Sequence, residues 1–224
     1  LADIRITQGR LREAMDIYKH GLQLATKQAS PLRGAADMHV GMSELFREHN
    51  DLDSAMQHLI KSKELGEING LPKNPYRWRV AMARIREAAG DRDGALDLFE
   101  EAAPLYVGDF SPNFRPVQAL KARVSLARGR LVEALGWMRQ QGLSAEDELS
   151  YLREFEHITL ARLLLACWEN GRSPNALHEA AGLLDRLLNF AEAGGRMGVM
   201  IEILVLQAHA RQLQGDIPAA LEAL

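Results

Sequence analysis

The sequence predicts an all-α fold, a right-handed superhelix of stacked helical hairpins. Three observations lead to this class. A short motif of the form Gly-x-Leu-x-x-Ala-Leu returns at intervals of about 40 residues along the 224-residue chain, which is typical of a repeat protein. Helix-forming residues dominate and only 6% of the residues are aromatic. No segment alternates apolar and polar residues as a half-buried strand does.

Each copy of the motif predicts a tight turn between two antiparallel helices. The glycine can adopt the left-handed conformation that closes the first helix, and an Asp, Asn or Ser just behind it can cap the second. The small alanine, four residues into the second helix, lets the two helices approach closely. The copy after Gly171 is degenerate and carries an insertion, so its alanine follows the previous one by 46 residues, whereas the other steps are 39 to 41. The motif alanines are Ala14, Ala55, Ala95, Ala134, Ala180 and Ala220.

The elements follow in order from these turns and from the breakers between hairpins. The motifs predict second helices of pairs over 11–29, 52–69, 92–106, 131–141, 176–193 and 217–224. First helices of pairs are predicted over 33–49, 76–89, 115–128, 148–170 and 198–214, each after a loop rich in Pro, Gly or Ser. Before two of the helices, Ser144 to Asp147 has the shape of a capping box, and Ser173-Pro174 offers a cap followed by a first-turn proline.

The helix predicted over 148–170 is apolar around most of its circumference, so neighbours must cover it on several sides. This is how an inner helix of a stacked array behaves, because it contacts its own partner and both adjacent repeats. We therefore expect a single helical-repeat domain over residues 1–224. A partial helix at residues 1–8 and the stop after Ala220 suggest a fragment of a longer multidomain protein, whose apolar edges allow self-association.

Composition and motifs exclude several classes of function. A net charge of −3 gives no broad positive field, so DNA is not expected as a direct partner. The single cysteine, Cys167, lies in an apolar run, which predicts a buried thiol in a reducing cytoplasm. The longest apolar runs are shorter than the ~20 residues that cross a bilayer, and no signal peptide is visible. No phosphate cradle, metal-ligand cluster or nucleophile–base pair stands out, so we expect no enzyme, no metal and no cofactor in this chain.

Two basic groups on first-of-pair helices are the candidate ligand-binding residues. Tyr76, Arg77, Trp78 and Arg84 belong to one helix, and Lys121 and Arg123 to the next. Adjacent inner helices present equivalent faces to one concave groove, where arginine forks and aromatic stacking can hold an anionic or polyhydroxylated ligand or an acidic peptide. The alternative is that these arginines only pair with acids across the turns, such as Asp91, Asp93, Glu100 or Glu101.

His157 completes the candidate groove. Glu154 precedes it by three residues on a helix, and a carboxylate at that spacing can orient an imidazole for acid–base work. The alternative is an ordinary pair on the helix surface.

Three segments carry a family resemblance. They are Pro75-Tyr76-Arg77-Trp78-Arg79, the loop from Tyr106 to Pro116, and the stretch from Asp147 to Arg162. In these segments the chain resembles the repeat domain of MalT-like regulators, the large ATP-dependent branch of the LuxR family of bacterial transcription activators. The repeat step is longer than the roughly 34 residues of a generic tetratricopeptide repeat.

The resemblance implies an inducer-sensing, tetratricopeptide-like domain of a transcription regulator. In such a regulator a nucleotide-binding module that uses ATP precedes the superhelix, and a helix-turn-helix that binds DNA follows it. A small-molecule inducer or a regulatory protein is then the expected partner. The alternative function is a scaffold that binds a peptide or a partner protein.

Overall fold

A computed structural model describes residues 1–27, 34–108 and 113–224, and its backbone is helical with short turns. No β-strand occurs among these residues, and a 3-10 turn covers Ala103–Leu105. The sequence-predicted breakers at Ser30-Pro31 and at Phe110 to Pro112 lie outside the described residues. The helices are α1 (Ala2–Thr7), α2 (Leu11–Thr26), α3 (Ala35–Glu48), α4 (Leu52–Asn69), α5 (Asn74–Ala88), α6 (Arg92–Ala102), α7 (Val117–Ala127), α8 (Leu131–Gln140), α9 (Glu154–Glu169), α10 (Ala176–Ala193), α11 (Met197–Leu213) and α12 (Ile217–Glu222).

The helices belong to two compact units. Unit 1 comprises Leu1–Ile6 and Arg10–Phe110, and unit 2 comprises Thr7–Gly9 and Ser111–Leu224. In unit 1, α3 packs against its partner α4 and also against α5. In unit 2, α9 packs against α7, α8, α10 and α11. The prediction that the helix ending near residue 170 contacts both adjacent hairpins is therefore confirmed.

The turns within hairpins close as the motif predicts. Gly90 has a φ of 86°, and the N–H groups of Gly90 and Asp91 donate to the carbonyls of Glu87 and Arg86 at 3.0 and 2.9 Å. These two bonds satisfy the last carbonyls of α5 in a Schellman motif. The Asp91 carboxylate then accepts the N–H of Gly94 at 2.9 Å, which caps α6. Asp51 and Asp216 cap α4 and α12 in the same way.

The motif alanines occupy the closest contacts between helices. Five of the six are fully buried, and Ala220 is 8% exposed. Since a protein interior is packed as densely as an organic crystal, a larger side chain at these positions would push the paired helices apart. The repeat in the sequence is therefore a repeat of helix-to-helix contacts.

The segment before α9 differs from the prediction. A helix was expected from residue 148, but α9 begins at Glu154. The Ser144 N–H donates to the Asp147 carboxylate at 3.0 Å, and the Ser144 hydroxyl accepts the Glu146 N–H at 3.2 Å. These local bonds form a turn instead of a capping box, because short polar side chains offer the backbone an alternative to the helix. Arg186 of α10 holds this turn by donating to the carbonyls of Ala145 and Asp147.

Two other helix ends differ in detail. Ser173 does not cap α10 with its hydroxyl; the cap position is Asn175, without a side-chain bond. The helix predicted over 92–106 ends as α-helix at Ala102, and the 3-10 turn that follows contains Pro104. Proline has no N–H for the helical ladder, which explains the early end.

The single cysteine lies in the buried environment that the sequence predicts. Cys167 is buried and forms no disulfide, and burial raises the pKa of its thiol. Across the part of the chain that the structure describes, no helix combines the length and apolarity needed to span a membrane. The same residues contain no group of three or more His, Cys, Asp or Glu side chains placed to hold a metal ion.

Candidate ligand-binding faces

In unit 1 an acidic face of α3 meets a basic face of α5. Arg77 Nη1 lies 3.2 Å from Asp37 Oδ1. Arg84 reaches two carboxylates, with Nη1 at 3.0 Å from Glu44 Oε1 and Nη2 at 3.5 Å from Glu48 Oε1. The two closer pairs are each separated by 40 residues, which is one repeat. Equivalent positions on successive inner helices thus carry opposite charges.

Arg77 lies in a largely acidic environment. Burial opposes its charge, but the carboxylates of Glu44, Asp3 and Asp37 outweigh burial and raise the pKa of Arg77. The Tyr18 hydroxyl donates to Asp3 at 2.8 Å, and burial together with that carboxylate raises the pKa of Tyr18. The Asp37 carboxylate is buried, and its Oδ2 atom has no hydrogen-bond partner within the described residues.

The two aromatic candidates are held by the protein itself. Tyr76 is buried and packs edge-on against Tyr106, with 5.2 Å between ring centroids. The indole N–H of Trp78 donates to the Leu59 carbonyl at 2.8 Å, and Lys63 Nζ lies 5.5 Å from the Trp78 ring. These contacts join α5 to Tyr106 and to Leu59 and Lys63 of α4.

In unit 2 the charges on the inner helices are unequal. Arg123 of α7 and Arg162 of α9 share one carboxylate oxygen, Glu202 Oε1 of α11. The distances are 2.6 Å from Arg123 Nη1 and 3.0 Å from Arg162 Nη2. Burial opposes ionisation of Glu202, but Arg123 and Arg162 outweigh it and lower the pKa of this carboxyl.

Arg123 is the most constrained of these groups. Its Nε donates to the Thr159 hydroxyl at 2.8 Å, and its guanidinium lies 3.7 Å from the centroid of the Phe155 ring. Burial, and then the positive charges of Arg162 and Arg115, lower the pKa of Arg123 to about 10, although Glu202 acts in the opposite direction. Lys121, the other candidate on α7, is half-buried.

His157 has no exposed surface. Its Nδ1 lies 3.0 Å from the Arg153 carbonyl and its Nε2 lies 3.2 Å from Asp147 Oδ2. The expected pair with Glu154 does not form, because Glu154 is itself buried and bound by Arg196 at 2.7 Å. His157 therefore ties the turn at residues 144–147 to α9.

A cavity of about 310 Å³ opens in unit 2 beside this charge cluster. It lies between the C-terminal ends of α7 and α9, the start of α8, and α11. One wall is apolar and includes three buried leucines, and the other is polar. The apolar residues are Leu126, Leu131, Leu165, Ala166 and Leu206; the polar residues are Arg162, Glu169, Asn170 and His209, with Gly129 at the turn.

Sequence reasoning placed the charged candidates on inner helices but missed their partners. Arg77 and Arg84 pair with acids one repeat earlier in the chain. The expected pairing across the turns holds for other arginines, since Arg86 binds Asp91 and Arg79 binds Glu101.

Arg162, Glu202 and the cavity were not predicted. A search for opposite charges 40 residues apart would have found the pair of Arg162 and Glu202.

Comparison with known proteins assigns the chain to a family. The family model described as "MalT-like TPR region" matches residues 1–224. The chain belongs to this family. The resemblance seen in the sequence is thereby confirmed, and the MalT-like repeat region extends over the whole chain. No curated protein matches the chain significantly.

Solved structures of tetratricopeptide-like repeats are similar to this chain. A Podosopora anserina protein described as "putative kinesin light chain nearly identical TPR-like repeats" has a TM-score of 0.51 at 18% identity, over 86% of this chain and 92% of its own. BtubC (BKLC) from P. vanneervenii has a TM-score of 0.56 at 12% identity, over 98% of this chain and 87% of its own. At these identities the likeness shows the fold alone, and it confirms the predicted class of tetratricopeptide-like helical hairpins.

Proposed function

We propose that this MalT-like repeat region is the signal-sensing domain of a LuxR-family transcription regulator. Its membership of the MalT-like family over residues 1–224 is the observation that carries the proposal. The domain binds an inducer or a regulatory protein and transmits that event to a nucleotide-binding module and a DNA-binding helix-turn-helix. Both modules would be encoded outside residues 1–224. The domain itself is not an enzyme, and the regulator acts in the cytoplasm.

The residues of this chain do not fit ATP. The sequence contains no Gly-x-x-x-x-Gly-Lys-Ser/Thr phosphate cradle. Its net charge of −3 also gives no field for a polyphosphate backbone. Nucleotide and DNA binding therefore belong to the other modules, and the repeat region contributes recognition and packing.

The charged faces of the inner helices support a sensing role. Arg77 and Arg84 in unit 1 are bound to acids one repeat earlier, and Arg162 in unit 2 is bound to Glu202 one repeat later, which also binds Arg123. An anionic ligand competes for those arginines, so its binding changes the ion pairs that join successive repeats. A ligand shifts a conformational equilibrium only through such a difference in affinity for the two states. Tyr76, Trp78, Lys121 and His157 remain proposed parts of the ligand-binding faces, and the buried Tyr76 and His157 contribute through the packing of α5 and α9.

Two experiments test this function. The first is the gene sequence on both sides of the segment for residues 1–224, where a phosphate-cradle motif upstream and a helix-turn-helix downstream are expected. Finding neither would remove the regulator assignment. The second is a thermal-shift screen of the chain against metabolites, repeated with the Arg77→Ala/Trp78→Ala variant. If no metabolite that stabilises the parent chain is weakened by this double change, the unit 1 face is not the sensor.

A protein-binding scaffold is the second candidate, and an exposed apolar row on α11 favours it. Met197, Ile201 and Val205 lie four residues apart on one side of α11 and are 50, 60 and 51% exposed. Asn50, Gly171 and Gly215 close α3, α9 and α11. Counted back from these residues, the positions of α3 and α9 that correspond to Ile201 and Val205 are buried. Those buried residues are Ala36 and Val40 in α3, and His157 and Ala161 in α9. Such a row accepts the apolar face of another helix, either from a following hairpin of the same chain or from a partner protein.

A hairpin peptide tests the scaffold candidate. A labelled peptide of residues 196–224 contains α11 and α12, and α11 packs on α9 in the chain. We expect it to bind the full chain saturably, and Ile201→Asp in the chain to abolish that binding. Val132→Asp, a change at an exposed apolar residue of α8, is the matched control and should have no effect. Absence of saturable binding would leave the sensor as the sole candidate.

A further inference from the structure

The cavity of unit 2 places Arg162, one of two arginines that share a single carboxylate, beside an apolar wall. Arg123 and Arg162 face one carboxylate oxygen, Glu202 Oε1. In unit 1, Arg47 and Arg84 also share one oxygen, Glu48 Oε1, but Arg84 has a second carboxylate, Glu44, at 3.0 Å. Only Arg162 of the unit 2 cluster lines the cavity. An additional negative charge beside Arg162 would therefore be stabilised.

Arg162 has one edge available for a ligand. Its Nε and Nη2 both donate to Glu202 Oε1, at 3.3 and 3.0 Å. Its Nη1 donates to no acceptor among the residues that the structure describes, and about a third of the side chain is exposed. A guanidinium is a preferred partner of carboxylates because its planar N–H groups match their geometry.

The other residues of the cavity restrict what can bind. Leu131, Leu165 and Leu206 are buried and present hydrocarbon, which favours a ligand with an apolar body. Glu169 Oε1 lies 3.3 Å from His209 Nε2 and adds a negative charge at the polar wall. A second negative charge on the ligand would meet Glu169, so a singly charged head group is preferred over a phosphate.

We propose that this cavity binds a small organic monoanion, whose carboxylate pairs with Arg162 and whose apolar body packs against the leucine wall. The proposal rests on the sensor function proposed above and names its ligand class. Because Glu202 belongs to α11 and Arg162 to α9, a ligand carboxylate at Arg162 Nη1 adds a second anion to the guanidinium that joins these helices. Binding therefore changes the contact between two successive repeats, which is the event a sensor must transmit.

Head-group comparison on the unaltered chain tests the ligand class. Octanoate, 1-octanol, octylammonium and octyl phosphate share one hydrocarbon chain and differ in charge, and each is titrated by calorimetry. Octanoate should bind saturably and at least about tenfold more tightly than the other three, as expected for one charge-assisted hydrogen bond. Equal binding of octanol or octylammonium would overturn the role of the anion, and equal binding of octyl phosphate would overturn the preference for a single charge. Absence of octanoate binding would overturn the proposal as a whole.

A variant then locates the site. Arg162→Gln should weaken octanoate binding about tenfold or more, whereas Arg139→Gln, which removes an exposed charge from α8, should leave the affinity unchanged. Equal affinity of the Arg162→Gln variant and the parent chain would place octanoate elsewhere and overturn the assignment. If Arg162→Gln does not fold, Leu206→Phe, which fills the cavity, replaces it with the same expected loss.

The result for octanoate binding can be distinguished from the result for the proposed sensor function. Octanoate binding without flanking regulatory modules would support the site and refute the regulator. Flanking regulatory modules without octanoate binding would support the regulator and refute the site.

Discussion

The inner helices of the two units carry charges at equivalent positions but balance them differently. In unit 1, α3 supplies Asp37, Glu44 and Glu48 to two arginines of α5. Among the described residues of unit 2, Glu202 is the carboxylate that pairs with both Arg123 and Arg162, and a cavity of about 310 Å³ adjoins Arg162. The same hairpin packing thus gives Arg84 two carboxylates in one unit, whereas Arg162 shares one carboxylate and borders a cavity in the other.

This difference indicates where ligand recognition can develop in a repeat protein. The backbone repeat fixes which positions of neighbouring helices face each other, and the residues at those positions decide whether their charges cancel. Where they cancel, as around Arg84, the face contributes to packing. Where they do not, as around Arg162, a partner from solution can supply the missing charge.

The largest expected difference between the units concerns the carboxylates. Glu202→Gln leaves Arg123 and Arg162 without their shared negative charge, and loss of one partner from a largely buried ion pair should lower the free energy of unfolding by about 3 kcal/mol. Glu44→Gln should cost at most about 1 kcal/mol, because Arg84 retains Glu48 at 3.5 Å. Urea denaturation followed by circular dichroism measures both. Equal losses would show that the charge balance of the two faces is the same.

Glycines in helices offer a second comparison. A Cβ atom at Gly41 in α3 would overlap the Tyr18 ring, whereas one at Gly182 in α10 would meet no atom within 4 Å. Gly41→Ala should therefore destabilise the protein by about 2 kcal/mol through overpacking. Gly182→Ala should stabilise it by up to about 1 kcal/mol through helix propensity. Thermal unfolding of the two variants measures the signs, and a neutral Gly41→Ala would show that Tyr18 can move away at no cost.

Acid should act on unit 1 through a histidine pair. His39 Nδ1 lies 2.8 Å from His58 Nδ1, and burial, then His58 and Lys61, lower the pKa of His39 from 6.5 to about 4. Between these two values the unfolded chain takes up a proton that the folded chain does not. The free energy of unfolding should therefore fall as the pH drops from 6.5 to 4, by about 2 kcal/mol.

Denaturation series at several pH values measure this dependence. His39→Gln should flatten it, and His178→Gln, a change at an exposed histidine of α10, should leave it intact. An unchanged slope in His39→Gln would assign the effect to other groups.

The smallest expected effects concern helix caps. Asp91 caps α6 with its carboxylate, whereas Arg130 occupies the same position before α8 without a side-chain bond. Asp91→Ala should cost about 1 kcal/mol. Arg130→Ser creates a capping box with Glu133 and should add about 0.5 kcal/mol. Chemical denaturation distinguishes the two directions, and a loss of stability in Arg130→Ser would mean that its weak pair with Glu133, at 3.6 Å, contributes more than a cap.

Local chemistry explains which parts of the fold were predictable. Helices α4 and α10 begin and end where the sequence predicts. Schellman turns close α3 before α4 and close α10 itself, and these turns depend on residues near each other in the chain. The turn at residues 144–147 was not predicted, since a capping box and an isolated turn share one sequence pattern. Arg186, which holds this turn, lies 41 and 39 residues after its two partners, Ala145 and Asp147.

The candidate site shows the same division. Arg77, Arg84 and Arg123 were found because their spacing places them on inner helices. The burial of His157, the pairing of Arg162 with Glu202 and the cavity depend on how α7, α9 and α11 pack together. No local pattern contains that information.

The sequence by itself determined the helical class, the repeat of about 40 residues and the position of nearly every turn, because those features follow from backbone preferences and residue size within a few neighbouring positions. The tertiary structure alone decided which charges meet, which remain exposed and where a cavity forms. Coulombic and packing energies depend on distances between helices that are one or more repeats apart, and these distances exist only once the hairpins have packed.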